Sequence, residues 1–499
     1  MKMPKFKLSN AQLLVLIIFF GAALRLIFNV GVIITGDSST VYAAHTISVG
    51  DYKLSANALP TTTRIGFVYP VAFFYRIFGV SEFSSYLFSF ITSISSIILI
   101  YFLGKLFFNE KVGMLSAFLL SFFPLHVIYA TEVFSDLSQA FFSGLAVYFF
   151  FLGEKKQQFE KQWHLYALSG FSVGISFLVK EIGIIIFFFF GVYGLYKLFF
   201  RKEKFRYGYF FILLGFLIVL LLELLHSYVI SNDLLLRFHQ MDNTYPAMVS
   251  NLFNYTGYKL FERLFVHMPY MMLTNIDFGF FTLFVIMAMM YLILFRKKDT
   301  YVTIIWYVSL FLYLNFGTVS LKTYVPLVGG FPRYLEILTF PGIMLIAYFL
   351  LEKDATIRKF IRPFAIIFLL LTSFGFIYIN PDRHNADIER ELGKFFLKAR
   401  NLPIYADEST KSALDFFTGY RQDIRSYWKG NYPKPGGTDL IKPEEIRNAY
   451  VVVNKRIFNK TPANYMVTYP SLYYGTPNNW IIVKTIKNSE GDALIYYVP

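Results

Sequence analysis

The sequence predicts a polytopic α-helical membrane protein of about 11 transmembrane helices, followed by a small extracytoplasmic α/β domain. Three observations predict it. Of 499 residues, 56% are hydrophobic and only 16% charged, where a soluble domain carries about a quarter charged residues. Mean hydropathy is +0.49. Apolar runs of bilayer-spanning length, about 17–25 residues, recur through the first three quarters of the chain. Beyond residue 380 the composition turns polar, with Pro433, Pro435, Gly436 and Gly437 clustered.

The spans are read at 11–35, 81–108, 112–130, 133–153, 163–180, 182–200, 207–230, 276–296, 301–320, 334–352 and 360–380. The opening MKMPKFKLSN resembles a signal peptide's basic region, but the apolar stretch behind it is too long and no small-residue cleavage site follows. It is read as a retained anchor. Between spans one and two lies an outer loop, 36–80, whose segment 65–80 is aromatic and broken by Pro70 and Arg76. That segment fits a helix lying at the interface. The region 1–380 is therefore one transmembrane domain, and 381–499 a soluble one. In the latter, residues 386–400 have helical spacing, with Leu392, Phe395, Phe396 and Ala399 on one face. Strand-like runs follow at 402–406, 449–454, 480–486 and 493–498.

Charge sets the orientation. The chain carries 47 Lys and Arg against 32 Asp and Glu, a net charge of +15. With a cytoplasmic N-terminus, 20 of the basic residues fall in six short inside segments, and 9 in much longer outside loops. Positive residues are retained on the cytoplasmic side, so the excess orients the chain and needs no nucleic-acid partner. The C-terminal domain is then extracytoplasmic. The absence of cysteine excludes disulfides, thiolate zinc sites and a cysteine nucleophile. No internal repeat is visible, which argues against transporters built from repeated halves.

Ionisable residues at membrane depth are costly and read first as functional. They gather at the outer ends of the spans. Asp37 follows span one, where a helix cap is the plainer explanation. Glu132 and Asp136 lie four apart at the start of span four, so they are expected to share a helix face. The helix dipole explains one such acid better than two. Lys180 and Glu181 occupy the turn between spans five and six, where a solvated turn is the plainer reading. Arg333 and Tyr334 open span ten, as an interfacial anchor would. Arg64 precedes the aromatic run and is placed to snorkel. Glu223 and His226, three apart, read as a hydrogen-bonded pair sooner than half a metal site. Arg25, inside span one, either pairs with one of these acids or snorkels. Together these residues predict an outward-facing pocket at bilayer level. Its carboxylates suit general-base work on a hydroxyl, and its cations suit a phosphate on which charge develops.

The ordered series of motifs resembles the membrane-integral GT-C glycosyltransferases, in particular the protein O-mannosyltransferases and the aminoarabinose transferases that modify lipid A. The elements are GDSSTVYAAH, YPVAFFYRIFGVS, FPLHVIYATEVFSDLSQAFF, GFSVGISFLVKEIGIIIF and GGFPRYLEILTFPGIML, spread over about the first 380 residues. None is specific alone; order and spacing carry the resemblance. It implies a GT-C-like arrangement of the helices and an inverting glycosyltransferase, hexosyl- or pentosyl-transferring. Such an enzyme takes its sugar from a polyprenyl-phosphate donor and passes it to a lipid, glycan or protein acceptor.

Carried over by position, Asp37 matches the loop acid that acts as base or orients the acceptor. Asp136 matches the second acid, and Glu132 is an extra or alternative one. Arg64 falls about one residue from the family's phosphate-binding loop cation. Lys180 and Arg333 are further phosphate ligands. Tyr69, Phe73 and Phe74 are placed to hold the donor lipid at the interface. The aminoarabinose branch has an aromatic–His–Arg element after span seven. Here LLLRFHQMDN offers His239 and Asp242, but the spacing departs. No metal site is assigned; the reaction needs no cofactor, and a divalent metal is left open. Neither a GxGxxG nor a P-loop occurs in a strand–helix setting. The WWDYG-type element of oligosaccharyltransferases is missing, which argues against transfer of a whole glycan to asparagine. Two other readings stand beside this one: a flippase or transporter of lipid-linked glycans, and a glycan polymerase or ligase.

Overall fold

The computed structural model describes residues 9–54, 58–155, 162–203, 206–243, 255–319, 324–352, 357–430, 436–460 and 469–499. Its first part is helical: α1 (Asn10–Ile27), α2 (Ile34–Val49), α3 (Ile65–Phe78), α4 (Glu82–Phe107), α5 (Glu110–Ser121), α6 (Pro124–Ile128), α7 (Asp136–Lys155), α8 (Trp163–Val179), α9 (Ile186–Phe199), α10 (Phe210–Ser231), α11 (Phe281–Leu294), α12 (Tyr301–Phe316), α13 (Thr339–Leu350) and α14 (Arg362–Ile379).

All eleven expected apolar segments are helical, but the expected count of spans is not met. Among the described residues, seven helices are long and apolar enough to cross a membrane, and eight if the bent pair α5–α6 counts as one. The shortfall has a physical cause. α8, α11 and α12 hold 17, 14 and 16 residues. At 1.5 Å per residue these reach about 21–26 Å, short of a hydrocarbon core of about 30 Å. The protein is thus an integral membrane protein with multiple apolar helices, and an odd span count no longer fixes which side each terminus occupies.

Packing divides the helices. α7 and the helix running from Pro332 to Leu350 are mostly buried, whereas the apolar faces of α1, α10 and α14 are largely exposed. Leu217, Leu221 and Leu225 on α10, and Phe364, Ile367 and Leu371 on α14, stand uncovered. Water would not tolerate such surface; lipid does.

Span one ends earlier than expected. α1 stops at Ile27, and Gly31 turns the chain with φ +84°. The positive φ favours glycine, and a β-carbon there, 2.3 Å from Glu82 Oε1 and 2.6 Å from Arg390 Nη2, would push the tips of that ion pair aside. Among the described residues Arg25 pairs with no acid, and it does not snorkel. It is fully buried and donates to Ser93 Oγ (2.6 Å) and to the carbonyls of Gly21 (2.8 Å) and Ser121 (2.9 Å). The α5–α6 pair bends by 64°, and the Ser121 carbonyl freed at that break finds its donor in Arg25.

The C-terminal part is a mixed sheet with two covering helices, α15 (Asp387–Phe396) and α16 (Glu408–Phe417). Its strands are β1 (Ile404–Asp407), β2 (Ile424–Gly430), β3 (Gly437–Asp439), β4 (Ala449–Asn454), β5 (Ile481–Ile486) and β6 (Ala493–Val498), in the order β3-β2-β1-β4-β6-β5. β1 pairs in parallel with β2 and β4; the other pairings are antiparallel. Alternation along β4 feeds two cores. Tyr450 and Val452 pack with Ile388, Leu392 and Phe396 of α15, while Val451 and Val453 pack with Tyr427, Trp428 and Trp480. β2 and β3 were not legible as strands: IRSYWKG mixes charge and glycine into the run. Arg390 docks this part on the bundle through Glu82 (2.9 Å) and the Val30 carbonyl (2.6 Å). Tyr420 stacks on His45 of α2 at 3.9 Å.

Candidate active site

The site begins where α8 ends. Lys180 leaves the helix in extended conformation, and the chain folds back through the 3-10 turn Glu181–Ile185 into α9. This places Lys180 and Glu181 side by side but facing different partners. The expectation of a solvated turn is wrong for both: their side chains are 5% and 15% exposed. Lys180 donates to Asp136 Oδ1, and its Nζ lies 3.9 Å from the centre of the Tyr334 ring.

Asp136 is the first residue of α7, as the helix dipole favours. Glu132 is not on that helix. It closes the 3-10 turn Tyr129–Thr131 in extended conformation (φ −101°, ψ 160°), so the two acids do not share a helix face. The FSD residues between them turn the chain instead of continuing a helix. Glu132 is nonetheless fully buried beside the cluster.

Arg333 enters from the other side. Pro332 starts a 3-10 turn leading into α13. The Arg333 guanidinium lies 3.8 Å from Asp136 Oδ2 and 4.0 Å from the centre of the Phe134 ring. It is part-exposed, at 23%. Arg64 comes from the loop before α3. Gly66 allows that approach, since a β-carbon there would stand 2.8 Å from the Val179 backbone nitrogen. Arg64 binds Glu181 at 3.0 Å and reaches Ser135 Oγ at 3.4 Å.

One cation was missed by sequence reasoning. Arg237, in the helical residues 236–243, is 1% exposed and links Glu181 (3.1 Å) to Glu223 (2.7 Å) and the Phe177 carbonyl (2.7 Å). Its signal was present in LLLRFHQMDN, where His239 drew attention; His239 instead pairs with Asp233 near the surface (2.8 Å). Nor do Glu223 and His226 pair with each other: Glu223 takes Arg237, and His226 Nε2 takes the Tyr69 hydroxyl at 2.7 Å.

The structure therefore brings Arg64, Asp136, Lys180 and Arg333 into one cluster at one end of the bundle, with Glu132 beside it. Asp37 lies in the first turn of α2, on a helix and not in a loop, and its side chain is outside what the structure describes. Two residues on, Ser39 Oγ meets Thr61 Oγ1 at 2.7 Å, which ties this part of α2 to the strand of chain that carries Arg64. Tyr69, Phe73 and Phe74 lie on α3. Tyr69, Phe73 and Ile77 form an exposed apolar stripe, while Phe67, Val68, Val71 and Tyr75 face inward. At 14 residues α3 is too short to span, as expected of the interfacial segment. Among the described residues no group of three or more His, Asp or Glu is placed to hold a metal ion.

Chemically, the cluster pairs each cation with a carboxylate, Lys180 and Asp136 in near-complete burial and the two arginines at its part-exposed edge. Arg and Lys in a dry site bind a phosphate through charge-assisted hydrogen bonds, and exchanging a carboxylate partner for phosphate oxygens keeps their charges compensated.

A family model described as dolichyl-phosphate-mannose-protein mannosyltransferase matches residues 65–226. That stretch holds Asp136, Glu132 and Lys180. No curated protein sequence matches the chain. Among solved structures, ArnT from Cupriavidus metallidurans bound to undecaprenyl phosphate superposes with a TM-score of 0.61 at 12% identity, covering 96% of this chain and 97% of that one. The same protein in the apo state gives 0.54 at 13% identity with the same coverage. The apo oligosaccharyltransferase of Archaeoglobus fulgidus gives 0.51 at 12% identity, covering 84% of this chain and 65% of that one. The resemblance read from the motifs is thus borne out at the level of the fold, which extends through the C-terminal sheet.

Proposed function

We propose that the protein is an inverting membrane glycosyltransferase that moves a sugar from a polyprenyl-phosphate donor to a lipid, glycan or protein acceptor on the extracytoplasmic face. The observation that carries the reading is the set of buried Lys180 and part-exposed Arg64 and Arg333 around Asp136, in a fold shared with a protein solved with undecaprenyl phosphate. The sidedness rests on the Lys/Arg asymmetry.

In this reading the donor phosphate sits among Arg64, Lys180 and Arg333, and the α3 stripe of Tyr69 and Phe73 lies along its isoprenoid chain. The acceptor oxygen or nitrogen attacks the anomeric carbon from the face opposite the phosphate. The bond from that carbon to the phosphate oxygen breaks, and the electron pair leaves with polyprenyl phosphate. The three cations meet the charge gained there. A carboxylate takes the acceptor's proton; Asp37 is assigned this role, and Asp136 holds Lys180 and Arg333 in position. The leaving group is already a stable phosphate, so the scheme requires no cofactor.

The test is incubation of the purified protein with a labelled polyprenyl-phosphate sugar. Release of free polyprenyl phosphate, without any ion or lipid gradient, supports transfer and separates it from a flippase. Turnover only with a glycan-diphosphate donor would favour a polymerase or ligase. Asp37→Asn is expected to abolish release while leaving thermal unfolding unchanged. Wild-type turnover in that variant would sink the assignment of the base.

A further inference from the structure

The end of the bundle away from Asp136 carries a second charged centre. Asp136 and Glu154 both lie on α7, roughly 27 Å apart along its axis. Glu154 is buried and accepts from Lys197 Nζ (2.6 Å), Arg206 Nη1 (2.8 Å) and the hydroxyls of Tyr166 (2.8 Å), Tyr209 (3.1 Å) and Tyr193 (3.3 Å). Five donors on one carboxylate are more than a solvated helix end needs. They build a rigid wall from α7, α8, α9 and the start of α10.

Beside this wall opens a polar cavity of about 480 Å³. Its cations are Lys155, Lys197, Arg201, Arg206 and Lys298. Its carboxylates are Glu154, Glu203 and Asp299, so positive charge is in excess. A second cavity, of about 440 Å³, adjoins it between α9 and α10 and shares Lys197 and Glu203. This one is apolar, lined by Phe187, Phe190, Leu195, Leu198 and Leu213. Gly191 and Gly194 also line it, and a β-carbon on either would meet nothing within 4 Å. Leu195, Leu198, Phe210 and Leu213 are exposed on the outside of the bundle, so the groove opens toward lipid.

We propose that this paired cavity binds an anionic phospholipid, with its phosphate head among the cations and an acyl chain in the α9–α10 groove. A free anion would use the first cavity and leave the second without purpose; a neutral lipid would use the second and not the charge. Only a molecule with a phosphate at one end and hydrocarbon at the other fits both, and basic pockets between transmembrane helices are where such heads are held. The site is separate from the sugar-transfer reading, and its test does not depend on activity.

The test uses the full chain in detergent, with bound lipid read by native mass spectrometry. Phosphatidylglycerol is expected to remain bound where phosphatidylcholine is lost. The double variant Arg201→Gln/Lys298→Gln removes two exposed cations that do not hold Glu154, and is expected to weaken phosphatidylglycerol about 30-fold. Gly194→Leu fills the groove without a clash and is expected to displace the lipid while sparing binding of inorganic phosphate. Equal retention of both lipids would overturn the proposal. So would phosphatidylglycerol binding unchanged in Gly194→Leu, or displacement of the lipid by inorganic phosphate at equal concentration, since either leaves a site for a soluble anion. Preferential retention of polyprenyl phosphate over phosphatidylglycerol would likewise overturn it in favour of the carrier lipid.

Discussion

Lys180 donates to Asp136 across 44 residues of sequence, and both side chains are almost wholly withdrawn from solvent. Breaking such a pair from one side strands a buried charge. Lys180→Met is therefore expected to destabilise the fold by about 3–5 kcal/mol. Replacing both partners, as Lys180→Met/Asp136→Leu, should recover most of that loss while sugar transfer stays absent. Thermal unfolding in detergent and donor turnover, measured on the same three proteins, check the two parts separately. A double variant as unstable as the single would show that losing the Arg333–Asp136 contact costs as much as stranding the charge.

Glu181 divides two arginines by role. Arg64 is part-exposed and shares Glu181 with Arg237, whereas Arg237 is fully buried between two carboxylates. Arg64→Gln should leave stability within about 1 kcal/mol and raise KM for the donor. Arg237→Gln should instead cost several kcal/mol, on the order of a broken buried pair. Equal losses of stability would remove the distinction.

The Gly31 turn predicts how the two parts come apart. Gly31→Ala forces a β-carbon against Glu82 and Arg390 at a positive φ. The Arg390–Glu82 contact should loosen, and limited proteolysis near residues 381–386 should release the C-terminal part faster than in the wild type. An unchanged cleavage rate would mean that the packing of α16 on α2 and α3, through Ala413, Phe416 and the Tyr420–His45 stack, holds the dock without Arg390.

Asp407 gives the sheet a pH dependence. It caps α16 by accepting from the Thr410 amide at 2.9 Å, and its Oδ2 is buried with no hydrogen-bond partner among the described residues. Burial pushes its carboxyl up to about 6, against the opposing pull of the Thr410 bonds. The folded chain therefore holds this proton more tightly than the unfolded chain, whose aspartate titrates near 3.9. Stability should fall as pH rises from about 4 to about 6 and level off above, a loss of up to about 3 kcal/mol. Asp407→Asn keeps the capping oxygen and should remove this slope. Hydrogen exchange of the β1 amides across that range is the measurement, with the difference between wild type and variant as the readout.

Much of the site was legible because its charges are expensive. Lys180, Asp136, Arg64 and Arg333 stand out in apolar surroundings, and the order of the motifs placed them at one end. What the sequence hid was partner choice. Glu181 and Lys180 are adjacent yet turn to different neighbours, because a 3-10 turn and not a helix follows Lys180. Glu132 and Asp136 keep helical spacing without sharing a helix. Arg237 sits in a segment read as loop, where charge is ordinary. The strands β1, β4, β5 and β6 are apolar and β-branched and were read correctly. The expected spans outnumber the helices long enough to cross because apolarity fixes which segments are buried or lipid-facing, not how long the helix inside each becomes.

α7 has a further consequence. Its 20 residues make a rod of about 30 Å, the thickness of the hydrocarbon core itself. One tip carries Asp136 and the other the Glu154 knot, so the rod works as a depth gauge. In the proposed reading it sets the Asp136 cluster level with one headgroup plane by anchoring the Glu154 knot in the other. Bilayers of longer or shorter acyl chains cannot satisfy both tips at once. Turnover should therefore peak at one lipid length and decline on either side of it.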